Sequence, residues 1–314
     1  MRSWTRRRGR TGGGEADVRR DAFASYHPVV GFAYFVAVIA FSMLWMHPVL
    51  QAISLFGAVV YSQLLRSAKA LRFNLLYMLP LLLFAALLNP AFNHAGATIL
   101  FYLRSGNPVT LESLLYGAAA AVMFVTVLIW FSCYNAVMTS DKFIYLFGRL
   151  LPGLSLIFSM VLRFVPRYRN QIGRISLAQR SIGRDATQGS LVRKAQNGMR
   201  IVSIMTTWAL ENAIETADSM KARGYGLPRR TSFSLYRFDR RDRLALGWLA
   251  FFAAIVLTGA ALGHNAIRFF PSIRMEPATP LSFIVYASYC ALCLMPVGIQ
   301  LVEDFKWKFI ASRT

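Results

Sequence analysis

The chain has 314 residues, 56% hydrophobic and only 16% charged, and its apolar residues fall in long uninterrupted runs, which excludes an ordinary soluble domain and places it in the membrane class. Its formal charge of +21 would point to nucleic acid in a soluble protein. Beside apolar runs of this length, the same cations set topology and meet a bilayer surface instead, and no nucleic-acid partner is expected.

Residues 1–28 form a basic leader in which Gly12, Gly13 and Gly14 sit without strand or helix pattern. It is not read as a cleaved signal peptide, because the apolar run after it is too long for an h-region and several more runs follow. Within 29–140 lie four candidate spans, Val29 to Met46, Val49 to Leu65, Phe73 to Phe92 and Leu114 to Met138. Each approaches or reaches the roughly 20 residues needed to cross ~30 Å of hydrocarbon. The next run, Phe143 to Val165, is interrupted by Gly148, Arg149, Pro152 and Gly153, and reads as an embedded helix that does not cross. Two further spans, Leu244 to Leu262 and Leu281 to Val302, occupy 244–302, and 303–314 is a tail.

The positive-inside rule keeps short Lys- and Arg-rich loops in the cytoplasm. With six crossings, only three of the 35 cations, Arg104, Arg268 and Arg274, lie outside. Both termini and the most basic stretch, 141–243, are then cytoplasmic. A full crossing by the Phe143 run would export that stretch.

The six spans contain no acidic or basic residue, whereas ion and proton pathways usually place such groups inside. Cys133, Cys290 and Cys293 lie in apolar runs and read as packing residues, and His27, His47, His94 and His264 show no metal-gathering spacing. No G-x-x-x-x-G-K-[ST] loop is present, so ATP hydrolysis would belong to another protein.

Two amphipathic helices are expected in the basic stretch. One runs from Arg167 to Ile182, started by Pro166, with Tyr168, Ile172, Ile175 and Ile182 on one face. The other runs from Met199 to Ala222 with Val202, Met205, Ala209, Ala213 and Met220 along a stripe and Glu211, Glu215 and Asp218 on another face. Gly224, Gly226 and Pro228 stop it and set Arg223 at its tip, where a cation also caps its own helix dipole. Glu211 and Glu215 read as a solvated face, with no nucleophile beside them.

The sequence Ala217-Asp-Ser-Met-Lys-Ala-Arg-Gly-Tyr-Gly226, followed by Arg229-Arg-Thr-Ser-Phe233 and Asp239-Arg-Arg-Asp242, resembles the transmembrane coupling (T) components of energy-coupling factor transporters. The resemblance is strongest from Phe147 to Leu246. It implies an all-α polytopic membrane protein with about six spans and long cytoplasmic coupling helices. It also implies two arginine signatures, each docking into one of two ABC-type ATPases. Ala222, Arg223 and Gly224 match the second signature. The first falls at Arg180, Ser181, Ile182, Gly183 and Arg184, where aligning the glycine puts Ile182 in the usual arginine's place and leaves Arg180 or Arg184 to supply the cation.

On this resemblance the chain is a non-catalytic coupling subunit of a prokaryotic cell membrane. It carries no cofactor itself, with ATP and Mg held by the partner ATPases. A separate substrate-binding membrane (S) component takes the vitamin or metal. Two other classes stay open on residues alone: a membrane enzyme whose basic face binds lipid or phosphate, and a self-sufficient carrier.

Overall fold

The computed structural model describes residues 22–311 except 67–71, 73, 103–107, 149–151, 228–235, 264–265, 276 and 278. The leader before Ala22, Lys69, Arg104, Arg149, His264 and the Arg229-to-Phe233 motif therefore lie outside the described residues. The chain is all-α, and it divides into two units, Met1–Thr139 with Tyr236–Thr314, and Ser140–Leu235.

In the first unit a short 3-10 turn, Phe23–Ser25, leads into α1, Pro28–Leu44, whose first free N–H groups meet a side chain: His27 Nδ1 accepts from Val29 N at 3.3 Å. Proline at the first position suits the start, since it has no N–H to leave unpaired. α2 is Pro48–Arg66, and α3, Leu79–Phe92, follows a π turn over Asn74–Met78. β1, Ile99–Tyr102, and β2, Pro108–Thr110, form an antiparallel hairpin before α4, Leu111–Val137, which Thr110 caps by accepting from Ser113 N.

Later in the chain the same unit has helix Arg240–Ala261, the two-residue strands Ile267–Arg268 and Arg274–Met275, and helices Pro280–Cys293 and Met295–Ala311. Helices Pro48–Leu65, Leu111–Val137 and Arg240–Ala261 are long and apolar enough to cross a bilayer, while Pro28–Leu44 and Leu76–Phe92 are shorter apolar helices.

The final expected span is corrected in shape: it is two helices meeting at 55° between Cys293 and Met295 rather than one rod. Pro296, in the first turn of the second helix, cannot donate the backbone bond that would carry one straight helix through. α4 also starts ahead of the expected Leu114 and takes in Glu112, whose carboxylate accepts from Thr98 N and Thr98 Oγ1.

The core of this unit gathers Tyr34 and Phe35 of α1, Tyr61 of α2, Trp130 of α4 and Tyr289 of Pro280–Cys293. Several polar atoms near its centre are paired, which offsets the cost of burying them. Ser42 Oγ donates to Val38 O and lies 2.6 Å from Ser54 Oγ, Trp130 Nε1 donates to Ser54 Oγ, and Tyr34 OH donates to Cys293 O beside the bend. Cys133 and Cys293 are buried in this packing and form no disulfide.

The second unit holds α5, Ser140–Gly148, α6, Pro152–Ser181, and α7, Leu191–Ala222. The interrupted Phe143 run is thus shared between α5 and the first half of α6. Pro166 does not start a helix; it lies inside the 30-residue α6. α7 begins at Leu191, ahead of the expected Met199, because Ser190 caps it by accepting from Arg193 N.

α6 and α7 pack through Ile175, Ile201 and Met205, with Tyr168, Ala186 and Trp208 against them. The buried stripe of α7 is Asn197, Ile201, Met205 and Asn212; of the expected stripe Met205 is buried, Ala209 and Met220 are half-buried, and Val202 and Ala213 are exposed. Arg167 lies over the Trp208 ring at 5.4 Å, and Tyr168 meets that ring edge-on at 5.5 Å. An apolar groove of about 360 Å³ opens beside this contact, lined by Tyr168, Ile172, Ile201, Val202, Met205 and Leu210.

Candidate functional site: two helix tips

Both long helices of the second unit end in the same backbone device. At the end of α7, Tyr225 N donates to Met220 O at 3.0 Å and Gly224 N to Lys221 O at 2.9 Å. At the end of α6, Arg184 N donates to Gln179 O at 2.9 Å and Gly183 N to Arg180 O at 3.0 Å. Each pair is the 6→1 and 5→2 pattern of a Schellman cap, which satisfies the last carbonyls and turns the chain away. The residue after the helix must take a left-handed conformation, and glycine does so in both: Gly183 at φ +74° and Gly224 at φ +84°.

This congruence puts Ile182 and Arg223 at equivalent positions, the last residue before the left-handed glycine. Ala222 closes α7, Arg223 follows it, and the Arg223 side chain is exposed with no hydrogen bond or ion pair among the described residues. Its backbone N–H donates to Ser219 O and Met220 O. The end of a helix carries partial negative charge, so this cation also complements its own dipole.

The α6 tip differs chemically. Ser181 is the last helical residue and its hydroxyl donates back to Leu177 O. Ile182 is 60% exposed and does not lie on the packed face with Tyr168 and Ile175, as its spacing predicted, because the helix has already ended. The Arg180 guanidinium turns back to Asp185, Nε to Oδ2 at 3.3 Å. Asp185 Oδ1 also accepts from the N–H and the hydroxyl of Thr187, both at 2.8 Å, and these bonds hold its carboxyl below the usual carboxylate range. Asn197 Nδ2 of α7 donates to Asp185 O, which ties the loop to the second helix. Arg184 is exposed, with no partner for its guanidinium among the described residues.

Asp185 and Asn197 are the site residues that motif reading passed over. The signal available was an aspartate two residues before a threonine, a local turn pattern. Glu211, Glu215 and Asp218 are exposed along α7.

Comparison with known sequences covers the segment that holds these tips. The family model described as CbiQ, cobalt transport protein, matches residues 24–233, two thirds of the chain, including both long helices and both tips. The chain belongs to this family. Curated relatives include the energy-coupling factor transporter transmembrane protein EcfT of Lacticaseibacillus paracasei, 34% identical over 110 residues, or 35% of this chain and 40% of that one. The proteins of the same name from Lactobacillus helveticus and Staphylococcus aureus are 30% identical over 105 residues and 31% over 94, covering 38% and 35% of their own lengths. The match thus spans about two fifths of the curated relatives or less. The chain is an all-α, multi-pass membrane protein of the CbiQ and EcfT type.

Proposed function

We propose that this CbiQ-family chain is the transmembrane coupling subunit of an ATP-driven uptake system of the energy-coupling factor class. Two ABC-type ATPases bind the ends of α6 and α7, and the membrane helices hold a separate substrate-binding component that takes the vitamin or metal. The observation that carries the reading is Arg223, exposed and without a side-chain partner among the described residues, at the end of a 32-residue helix. A guanidinium keeps its charge and offers a planar fork to carboxylates, and a helix end holds it in place. The names of the relatives support the class, and the apolar groove beside Ile201 and Met205 gives the second unit further surface for a partner.

In this role the chain is not an enzyme. ATP and Mg are handled by the ATPases, and closure and opening of those subunits move the two tips. The charge distribution supports a cytoplasmic location for both termini and for Ser140–Leu235.

The test is Arg223→Glu, which sets like charges together at an acidic groove. The variant is expected in the membrane fraction at wild-type level but with an ATPase lost from the detergent-purified complex and uptake abolished. Unchanged ATPase content together with unchanged uptake would remove the assignment.

A further inference from the structure

The cap bonds make the ends of α6 and α7 superposable in kind, yet one presents an arginine and the other an isoleucine at the same position. Ile182 gains nothing from its own fold: it is 60% exposed, past the last helical turn, and outside the cluster of Ile175, Ile201 and Met205. The neighbouring cation Arg180, 62% exposed, is drawn toward Asp185 through Nε, and Asp185 is itself fixed by Thr187 and, through its carbonyl, by Asn197. Arg184 lies on the chain leaving the tip, beyond the left-handed Gly183.

We propose that the α6 tip docks through Ile182 as an apolar knob, so that the two ATPase sockets meet unlike chemistry, one apolar and one cationic. The inference rests on the coupling-subunit reading above. The occupant is an ABC-type ATPase because the tip shares its backbone geometry with the arginine tip at the end of α7. An apolar contact is short-ranged and insensitive to salt, whereas an exposed guanidinium–carboxylate contact weakens as ions screen it. The two attachments therefore respond differently to ionic strength. The socket for Ile182 carries an apolar floor, and the one for Arg223 carries carboxylates, so the two sockets differ in lining.

The experiment purifies the full chain, co-expressed with its ATPase subunits, in mild detergent and counts ATPase subunits per chain at low and high salt. Wild type and Ile182→Val are expected to hold two, and Ile182→Asp and Ile182→Arg one, which leaves as salt rises. Arg223→Glu is expected to hold one that resists salt. If Ile182→Asp and Ile182→Arg both keep two ATPases while Arg223→Glu loses one, the apolar knob is wrong and the coupling-subunit reading stands. The knob is equally overturned if Ile182→Arg binds more tightly than wild type, since the socket would then be acidic. If Arg223→Glu also keeps two, both readings fall.

Discussion

Single residues decide what each helix end offers. Arg223 has no side-chain partner among the described residues, while Arg180, 62% exposed, pairs through Nε with Asp185 across one short loop. Asp185 is held ionised first by the Thr187 backbone N–H, then by the Thr187 hydroxyl, with Arg180 adding to them. A carboxyl whose folded pKa is depressed stabilises the fold above its unfolded pKa, about 4, and loses that contribution as pH falls through the folded value. Asp185→Asn is therefore expected to lower the melting temperature of the detergent-solubilised chain at pH 7, with the gap to wild type closing below about pH 4. A gap that persists unchanged at lower pH would show that the loop is not held by the charge. The arginine tip was legible in the sequence because Gly224 and Gly226 follow Arg223 closely and take the left-handed conformation that ends the helix, while Pro228 lies outside the described residues. The pairing of Arg180 with Asp185 was not legible, since no helical spacing encodes a loop ion pair.

At the scale of elements, apolar run lengths located the main helices, because hydrocarbon thickness sets a length that the sequence has to meet. Pro166 misled because proline is common at a helix start but is also accommodated within a helix, at roughly 3 kcal/mol, when the flanking turns are held by packing. Tyr168, two residues beyond it, packs on Trp208 of α7. The stripe of α7 was placed correctly at Met205 but took Val202 in place of its neighbour Ile201, because apolar residues stand at both positions and contact with α6 selects Ile201. In the other unit, helix packing depends on small residues. A Cβ added to Gly259 in Arg240–Ala261 would collide with Val285 of Pro280–Cys293, and one added to Gly117 of α4 would lie 2.6 Å from Ala86 O of α3. Close backbone approach of this kind is the usual basis of helix association in lipid. Gly259→Leu is expected to destabilise the chain by about 1–3 kcal/mol, the range for overpacking a tight contact, read as a lower melting temperature in detergent. Gly247→Ala, with nothing within 4 Å of its added Cβ, serves as the control and should leave it unchanged.

For the whole molecule, the sequence carried the class and the apolar helices, while the bent last pair depended on Pro296 and on Tyr34 OH satisfying Cys293 O. The functional account stands on where the basic unit lies. The proposed orientation, by the positive-inside rule, sets Ser140–Leu235 in the cytoplasm and Arg268 and Arg274 outside. The most direct measurement is labelling with a membrane-impermeant maleimide in a background where Cys133, Cys290 and Cys293 are replaced by alanine. A cysteine at position 223, from Arg223→Cys, is predicted to react only in inside-out vesicles, and one from Arg274→Cys only in intact cells. Reaction of the position-223 cysteine in intact cells would contradict the account.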